Sequence, residues 1–174
     1  MKKMKKTIRT LLLTIFIGNI FQESYARDDI QMYFTPNEEC LSVIEKCIKY
    51  STESIYVQAY SFTSSKIANY LIAAHKRGVH VEVIVDRSQI NAVNTQIYHL
   101  NAYKIPIWVD NIKGIQHNKI MIFDKSRIIT GSYNFSEAAE NRNAENLVWI
   151  KQKRLAVKCF NNWKERKLNS NPLF

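Results

Sequence analysis

Acidic side chains are scarce in this chain: 15 Asp and Glu stand against 25 Lys and Arg, a formal net charge of +10. That imbalance favours polyanionic partners, either nucleic acid or an anionic membrane surface. Cysteine is scarcer still, with three residues in 174. There is no Cys-x-x-Cys pair and no Cys/His spacing of the kind that holds zinc. Cys40 and Cys47 are seven apart on an expected helix, about 10 Å of rise, which is beyond disulfide reach. One of them could pair with Cys159; the expectation is that all three are buried as small hydrophobes. Carboxylate clusters of the DxD or HExxH type are absent, and no metal ligand set or cofactor is expected. No internal repeat, low-complexity tract or linker interrupts the chain, so one domain of ordinary size is expected.

Also missing is any apolar run of the roughly 20 residues that a membrane-spanning helix needs. The longest candidate, residues 11–21, is preceded by Lys2, Lys3, Lys5, Lys6 and Arg9 and followed by Ser24 and Ala26. A basic start, a short apolar stretch and small residues at a cleavage position have the order of a secretory signal peptide; an uncleaved N-terminal anchor is the rival. Residues 1–26 are thus read as the signal and 27–174 as the functional domain, exported to the periplasm or secreted. The signal takes five basic residues and Glu23 with it, which leaves the domain at +6.

What is present suffices for a packed core: 46% of residues are hydrophobic and 23% charged. Residues 30–34 read as a strand. Thr35-Pro36-Asn37-Glu38 reads as a capping box for a helix to about Tyr50. Residues 54–62, rich in β-branched and aromatic side chains, form a strand. Thr63 or Ser64 caps a helix with Ile67, Leu71 and Ala74 on one face, ended by Gly78. Val79, Val81, Val83 and Val85 alternate on a further strand. A helix over 89–102, strands at 105–109, 117–123, 127–130 and 147–150, and a closing helix over 155–167 complete the series. Strands alternating with helices indicate an α/β sandwich, a mixed sheet with helices on its faces.

Two clusters carry chemistry. His117 and Lys119 are two apart on an expected strand and project to one side, and Asp124 ends that strand. Gly131-Ser132-x-Asn134 follows the next strand. Glycine there lets the backbone approach a ligand closely, while Ser132 and Asn134 offer neutral donors. A phosphodiester is anionic and resists anionic nucleophiles; an imidazole is a neutral nucleophile with a pKa near 7. Lysine neutralises the non-bridging oxygens, and fixed donors hold the charge that builds in the transition state. Removing one such donor typically lowers the rate about 100- to 1,000-fold. A protein that supplies its own cations in this way needs no magnesium or zinc.

The string HNKIMIFDKSRIITGSYNFSEAAENRNAEN resembles the HKD motif, H-x-K-x4-D-x6-G-S-x-x-N, of the phospholipase D superfamily. His117, Lys119, Asp124, Gly131 and Ser132 stand at that spacing, and Asn134 follows Ser132 after the single residue Tyr133. Asn143-Ala144-Glu145-Asn146 resembles the family's N-x-E-N continuation. With its short body and signal, the chain is similar to the small bacterial endonuclease branch of the superfamily. The resemblance implies that His117 attacks phosphorus and forms a phosphohistidine. Lys119, Ser132, Asn134 and the Gly131 backbone would bind the phosphate, and Glu145 would hydrogen-bond the other nitrogen of His117. Asp124 would orient neighbours. Most members carry two such motifs in a chain, and this one carries one. The resemblance therefore implies a homodimer in which His117 of each subunit meets across a two-fold axis.

A nuclease with little sequence preference is the leading expectation, because phosphate contacts dominate such binding. A phospholipase D releasing a lipid head group is the alternative, and a silent nucleic-acid-binding module a third. Outside the motif, His75 and His80 are expected to be structural and Trp108 and Trp149 to pack. Tyr56, Tyr60 and Phe62 are expected in the core, with a base-stacking platform as their other reading.

Overall fold

The computed structural model describes residues 29–36 and 39–174. The expected signal at 1–26, and residues 37–38 of the expected capping box, lie outside the described residues. In chain order the elements are β1 (Asp29–Thr35), α1 (Cys40–Lys49), β2 (Ser54–Ala59), α2 (Ser65–Lys76), β3 (His80–Val85), α3 (Ile97–Ala102), β4 (Ile107–Asp110), β5 (Lys119–Phe123), β6 (Arg127–Gly131), α4 (Glu137–Asn141), β7 (Glu145–Lys151), α5 (Lys153–Leu168) and β8 (Ser170–Pro172). They build one eight-stranded mixed sheet in the order β1-β7-β6-β5-β2-β3-β4-β8. β2, β3 and β4 run parallel, and every other pairing is antiparallel.

The period-2 alternation of the strands divides the core in two. Ile55, Val57 and Ala59 of β2, and Val81, Val83 and Val85 of β3, face the layer of α1, α2 and α3. Tyr56, Ile84, Ile122 and Ile128 face α5 with Ala156 and Trp163. The Trp163 indole donates to the Val57 carbonyl at 3.0 Å, which fixes α5 across the centre of the sheet. Cys40 and Cys47 lie in the first layer and Cys159 packs in the second, so the sheet separates Cys159 from the other two. Burial pushes the Cys47 thiol up to about 11, as a small buried hydrophobe requires.

Three expectations are corrected. α1 starts at Cys40 after Glu39, with no side-chain cap; Thr35 instead ends β1 and donates to the Asn143 carbonyl at 3.0 Å. The helix expected over 89–102 is a short 3-10 turn at Arg87–Ile90 and the six-residue α3. Asn94, at φ 61, breaks the continuity. β5 begins at Lys119, so His117 stands in the loop before the strand. Ser64 caps α2 as expected, its hydroxyl accepting from the Ile67 amide.

Candidate active site

One edge of the sheet collects the motif except its aspartate. The carboxyl ends of the parallel strands β2 and β3, the loop entering β5, the end of β6 and the start of β7 all reach it. The loop and β2 are stitched together where the Tyr60 amide donates to the Asn118 carbonyl at 3.0 Å.

Tyr60 is the hub. Its ring lies 4.4 Å from the His117 ring, centroid to centroid, at 59°, and the Lys119 ammonium sits 4.9 Å from its centre. The structure thus brings His117 and Lys119 together, although only Lys119 is on a strand. Lys119 is 7% exposed, and its ammonium donates to the His117 carbonyl at 2.8 Å. Burial holds its pKa below the ordinary lysine value of 10.5, and the charge of Glu145 opposes that shift. His117 itself is exposed. Its imidazole makes no hydrogen bond among the described residues, so both ring nitrogens are open to a substrate.

The second cluster is built by a close approach of β7 to the end of β6. Gly131 has φ +146, and a Cβ on it would stand 2.3 Å from the Asn146 carbonyl oxygen. Glycine is therefore required there. The approach lets the amides of Ser132 and Tyr133 donate to that same oxygen at 3.1 and 3.2 Å. The Ser132 hydroxyl donates to Glu145 Oε2 at 2.6 Å and accepts from the Asn146 amide at 3.0 Å. The Asn134 side-chain oxygen is buried without a hydrogen-bond partner among the described residues.

Two residues stand differently from expectation. The Glu145 carboxylate accepts from Ser132 and, at 2.9 Å, from Asn143; it is not bonded to the His117 of its own chain. Asp124 is not brought to the cluster at all. It stands past the far end of β5, about 17 Å from Lys119 at roughly 3.4 Å per strand residue. Its Oδ1 accepts from the amides of Thr52, Glu53 and Ser54 at 3.2, 2.8 and 3.1 Å, and its Oδ2 accepts from Arg127 at 2.7 Å. Asp124 is an anchor between the β5–β6 turn and the start of β2.

Two further glutamates downstream of the motif, Glu137 and Glu140, are engaged or turned elsewhere. Glu140 accepts from the Leu41 amide and the Tyr133 hydroxyl, and Glu137 is exposed on α4. His80 pairs with Glu82 at 2.7 Å on the α5 face. Tyr56 and Phe62 are core, as expected, but Tyr60 is not. The signal that separates them is position: β2 ends at Ala59, so Tyr60 leaves the alternation and tops a parallel strand, where ligands gather in open α/β sheets.

The family model described as "Cardiolipin synthase, PLD-like domain" matches residues 44–167. A protein of Rickettsia prowazekii named phospholipase D is 41% identical over 146 residues, covering 84% of this chain and 71% of that protein. Among solved structures, the phospholipase D family member Nuc from Salmonella typhimurium superposes with a TM-score of 0.78 at 32% identity, over 83% of this chain and 97% of that one. NucT from Helicobacter pylori gives the same TM-score at 23% identity and covers 82% of this chain and 98% of that one, a likeness of fold.

Proposed function

The chain belongs to the phospholipase D superfamily and is a hydrolase of phosphodiester bonds, and from that premise we propose that it is an exported, metal-independent endonuclease working as a homodimer. The observation that carries this reading is the exposed His117 imidazole, open at both nitrogens and set on a sheet edge beside a buried lysine. A polymer can pass across an edge, and a domain that keeps +6 without residues 1–26 favours a polyanion.

In the proposed reaction the neutral imidazole attacks phosphorus, a P–N bond forms and the P–O bond to the leaving group breaks. Lys119, the Asn134 side-chain amide and the Ser132 hydroxyl, turned from Glu145 toward the substrate, hold the non-bridging oxygens as charge accumulates. The leaving oxygen must be protonated, and this chain brings one motif histidine to the edge. His117 of a second copy supplies that proton, then takes one from water, which attacks phosphorus and breaks the P–N bond. The Glu145 carboxylate, unbonded to its own His117, is free to orient the imidazole of the other copy.

A second reading has its own support. Ile112 and Ile115, on the loop that leads to His117, are 38% and 55% exposed, and such a rim suits a lipid surface. The Rickettsia prowazekii relative is named a phospholipase D. On this reading the same histidine chemistry releases a phospholipid head group.

Plasmid DNA, RNA and phosphatidylcholine vesicles incubated separately with the purified protein in millimolar EDTA, beside His117→Ala, distinguish these readings. The nuclease reading expects DNA or RNA cleavage that survives EDTA and disappears in His117→Ala. Cleavage abolished by EDTA refutes the metal-free reaction. Hydrolysis of the vesicles with intact nucleic acids moves the assignment to the lipid. Full activity in a species that sediments as a monomer refutes the shared site.

A further inference from the structure

We propose that Asp86 and Arg87, at the carboxyl end of β3, are positioning residues that set the place of the His117 imidazole through the loop at 111–117. The inference rests on His117 being the attacking group, and it concerns residues outside the motif.

That loop has no regular structure of its own, yet nearly every turn of it is tied down. The Arg87 Nη2 donates to three consecutive carbonyls, those of Ile112, Lys113 and Gly114, at 2.8, 3.1 and 2.7 Å. Three carbonyl oxygens gathered at one point repel each other, and only a cation or a cluster of donors holds them there. The Ile112 amide closes the start of the loop by donating to Asp110 Oδ1 at 2.8 Å. Asp110 is held in turn by the guanidinium of Arg166.

Asp86 fixes the other end. It is 2% exposed, and both its oxygens are used: Oδ1 accepts from the Ser88 amide at 2.9 Å and Oδ2 from the Gln116 amide at 2.8 Å. Burial pushes its carboxyl up, but the hydrogen bonds of Ser88 and Gln116 with the charge of Arg87 outweigh it and hold the pKa below the ordinary value. Asp86 therefore stays an acceptor. Gln116, also 2% exposed, accepts from the Asn118 amide through its side chain at 2.9 Å. His117 is consequently held between two pinned neighbours, and its own carbonyl is held by Lys119. What is left to the imidazole is rotation about its side-chain bonds against the Tyr60 ring.

The consequence is that Asp86 and Arg87 act on the rate without touching substrate. A displacement near 1 Å of a reacting group lowers a rate by about 100-fold, and releasing the three carbonyls allows such a displacement. Phosphate binding by the β6–β7 side of the site is left in place.

The test is steady-state turnover of bis(p-nitrophenyl) phosphate by the purified chain, its Arg87→Ala, Arg87→Lys and His117→Ala variants, with amide hydrogen exchange at residues 112–116. Arg87→Ala is expected to lose roughly 10- to 100-fold in kcat with KM within about threefold. Exchange at the Gln116 amide should quicken, and Arg87→Lys, which keeps the cation, should recover part of the loss. A dead His117→Ala beside an Arg87→Ala of wild-type kcat overturns the positioning role alone. A wild-type rate in His117→Ala overturns the assignment of His117, and this proposal with it. Should Arg87→Ala fail to fold, Arg87→Met keeps the length of the side chain, removes every donor and reads the same way: lost kcat at unchanged KM supports the clamp, and wild-type kcat overturns it.

Discussion

Gly131→Ala separates a requirement of the backbone from one of the chemistry, since it adds one methyl group and removes no polar atom. The added Cβ would lie 2.3 Å from the Asn146 carbonyl oxygen and 3.0 Å from the carbonyl carbon. Both are backbone atoms of β7, so no side chain can rotate away. Relief of the clash requires β7 to retreat by about 1 Å, and overpacking of that kind destabilises by roughly 1–3 kcal/mol. The φ of +146 adds a further penalty of about 1–3 kcal/mol for an L-residue. Together they amount to about 2–6 kcal/mol, or a fall in Tm of roughly 4–24 °C for a domain of this size. The same retreat pulls Glu145 and Asn146 from Ser132, whose hydroxyl they hold at 2.6 and 3.0 Å, so kcat should fall by about 100-fold or more. Thermal unfolding followed by circular dichroism, with turnover measured well below the transition, checks both. A variant that unfolds within 2 °C of the wild type (about the effect of 1 kcal/mol or less) and turns over normally would refute the argument that glycine is needed for the close approach.

Three further outcomes follow from the geometry. Asp124→Asn should lower the urea midpoint, by about 2–4 kcal/mol of stability, because a charged acceptor of three amides and an arginine is weakened; turnover per folded molecule should stay within about threefold, as the residue is far from His117. The proposed reaction uses Lys119 as a cation, and burial holds its pKa below 10.5, so the alkaline limb of the kcat/KM profile should lie below that value. Glu145 opposes the shift, and Glu145→Gln should therefore move the limb to still lower pH, whereas an unmoved or raised limb contradicts the assignment. Tyr60→Phe keeps the ring against His117 and Lys119 and should keep kcat within about threefold, whereas Tyr60→Ala should lose about 10-fold, the scale of a partly desolvated cation–π contact; equal rates in all three would show the ring to be incidental.

Much of this arrangement was legible before the fold was known, for physical reasons that differ between regions. Val79, Val81, Val83 and Val85 announced β3 because alternate residues of a strand share one face, here the face packed against α1, α2 and α3. Residues 89–102 misled because Ile90, Ile97 and Leu100 have helical spacing, while the polar Asn91, Asn94 and Thr95 between them turn the chain. Thr35-Pro36-Asn37-Glu38 has the residues of a cap, yet Thr35 is claimed by the pairing of β1 with β7. Tyr60 was hidden because its parity matches Tyr56, and only the end of β2 at Ala59 takes it out of the core. Arg87 and Asp86 left no local signal of their hold on the loop, since the loop partners they grip lie 25 to 30 residues on.

The motif itself was readable for a different reason, which the sheet makes plain: its spacing is the geometry of one β-hairpin. Lys119 is the first residue of β5 and Asp124 the first after it, so the interval between them counts the length of a strand. The turn and β6 fill the interval from Asp124 to Gly131, which returns the chain to the edge it left. Such a hairpin delivers two clusters to one place only if it is held at both ends. At the distal end Asp124 ties it to the start of β2 through three amides. At the site end the Tyr60 amide ties it to Asn118. The carboxylate of the motif is therefore part of the frame on which the histidine and lysine are mounted, and the chemistry divides accordingly. β5, β6 and β7 with the loop before them carry the groups that the proposed reaction turns to phosphate, while the ends of β2 and β3 supply Tyr60, Asp86 and Arg87 to hold them at the edge where a second copy's imidazole would complete it.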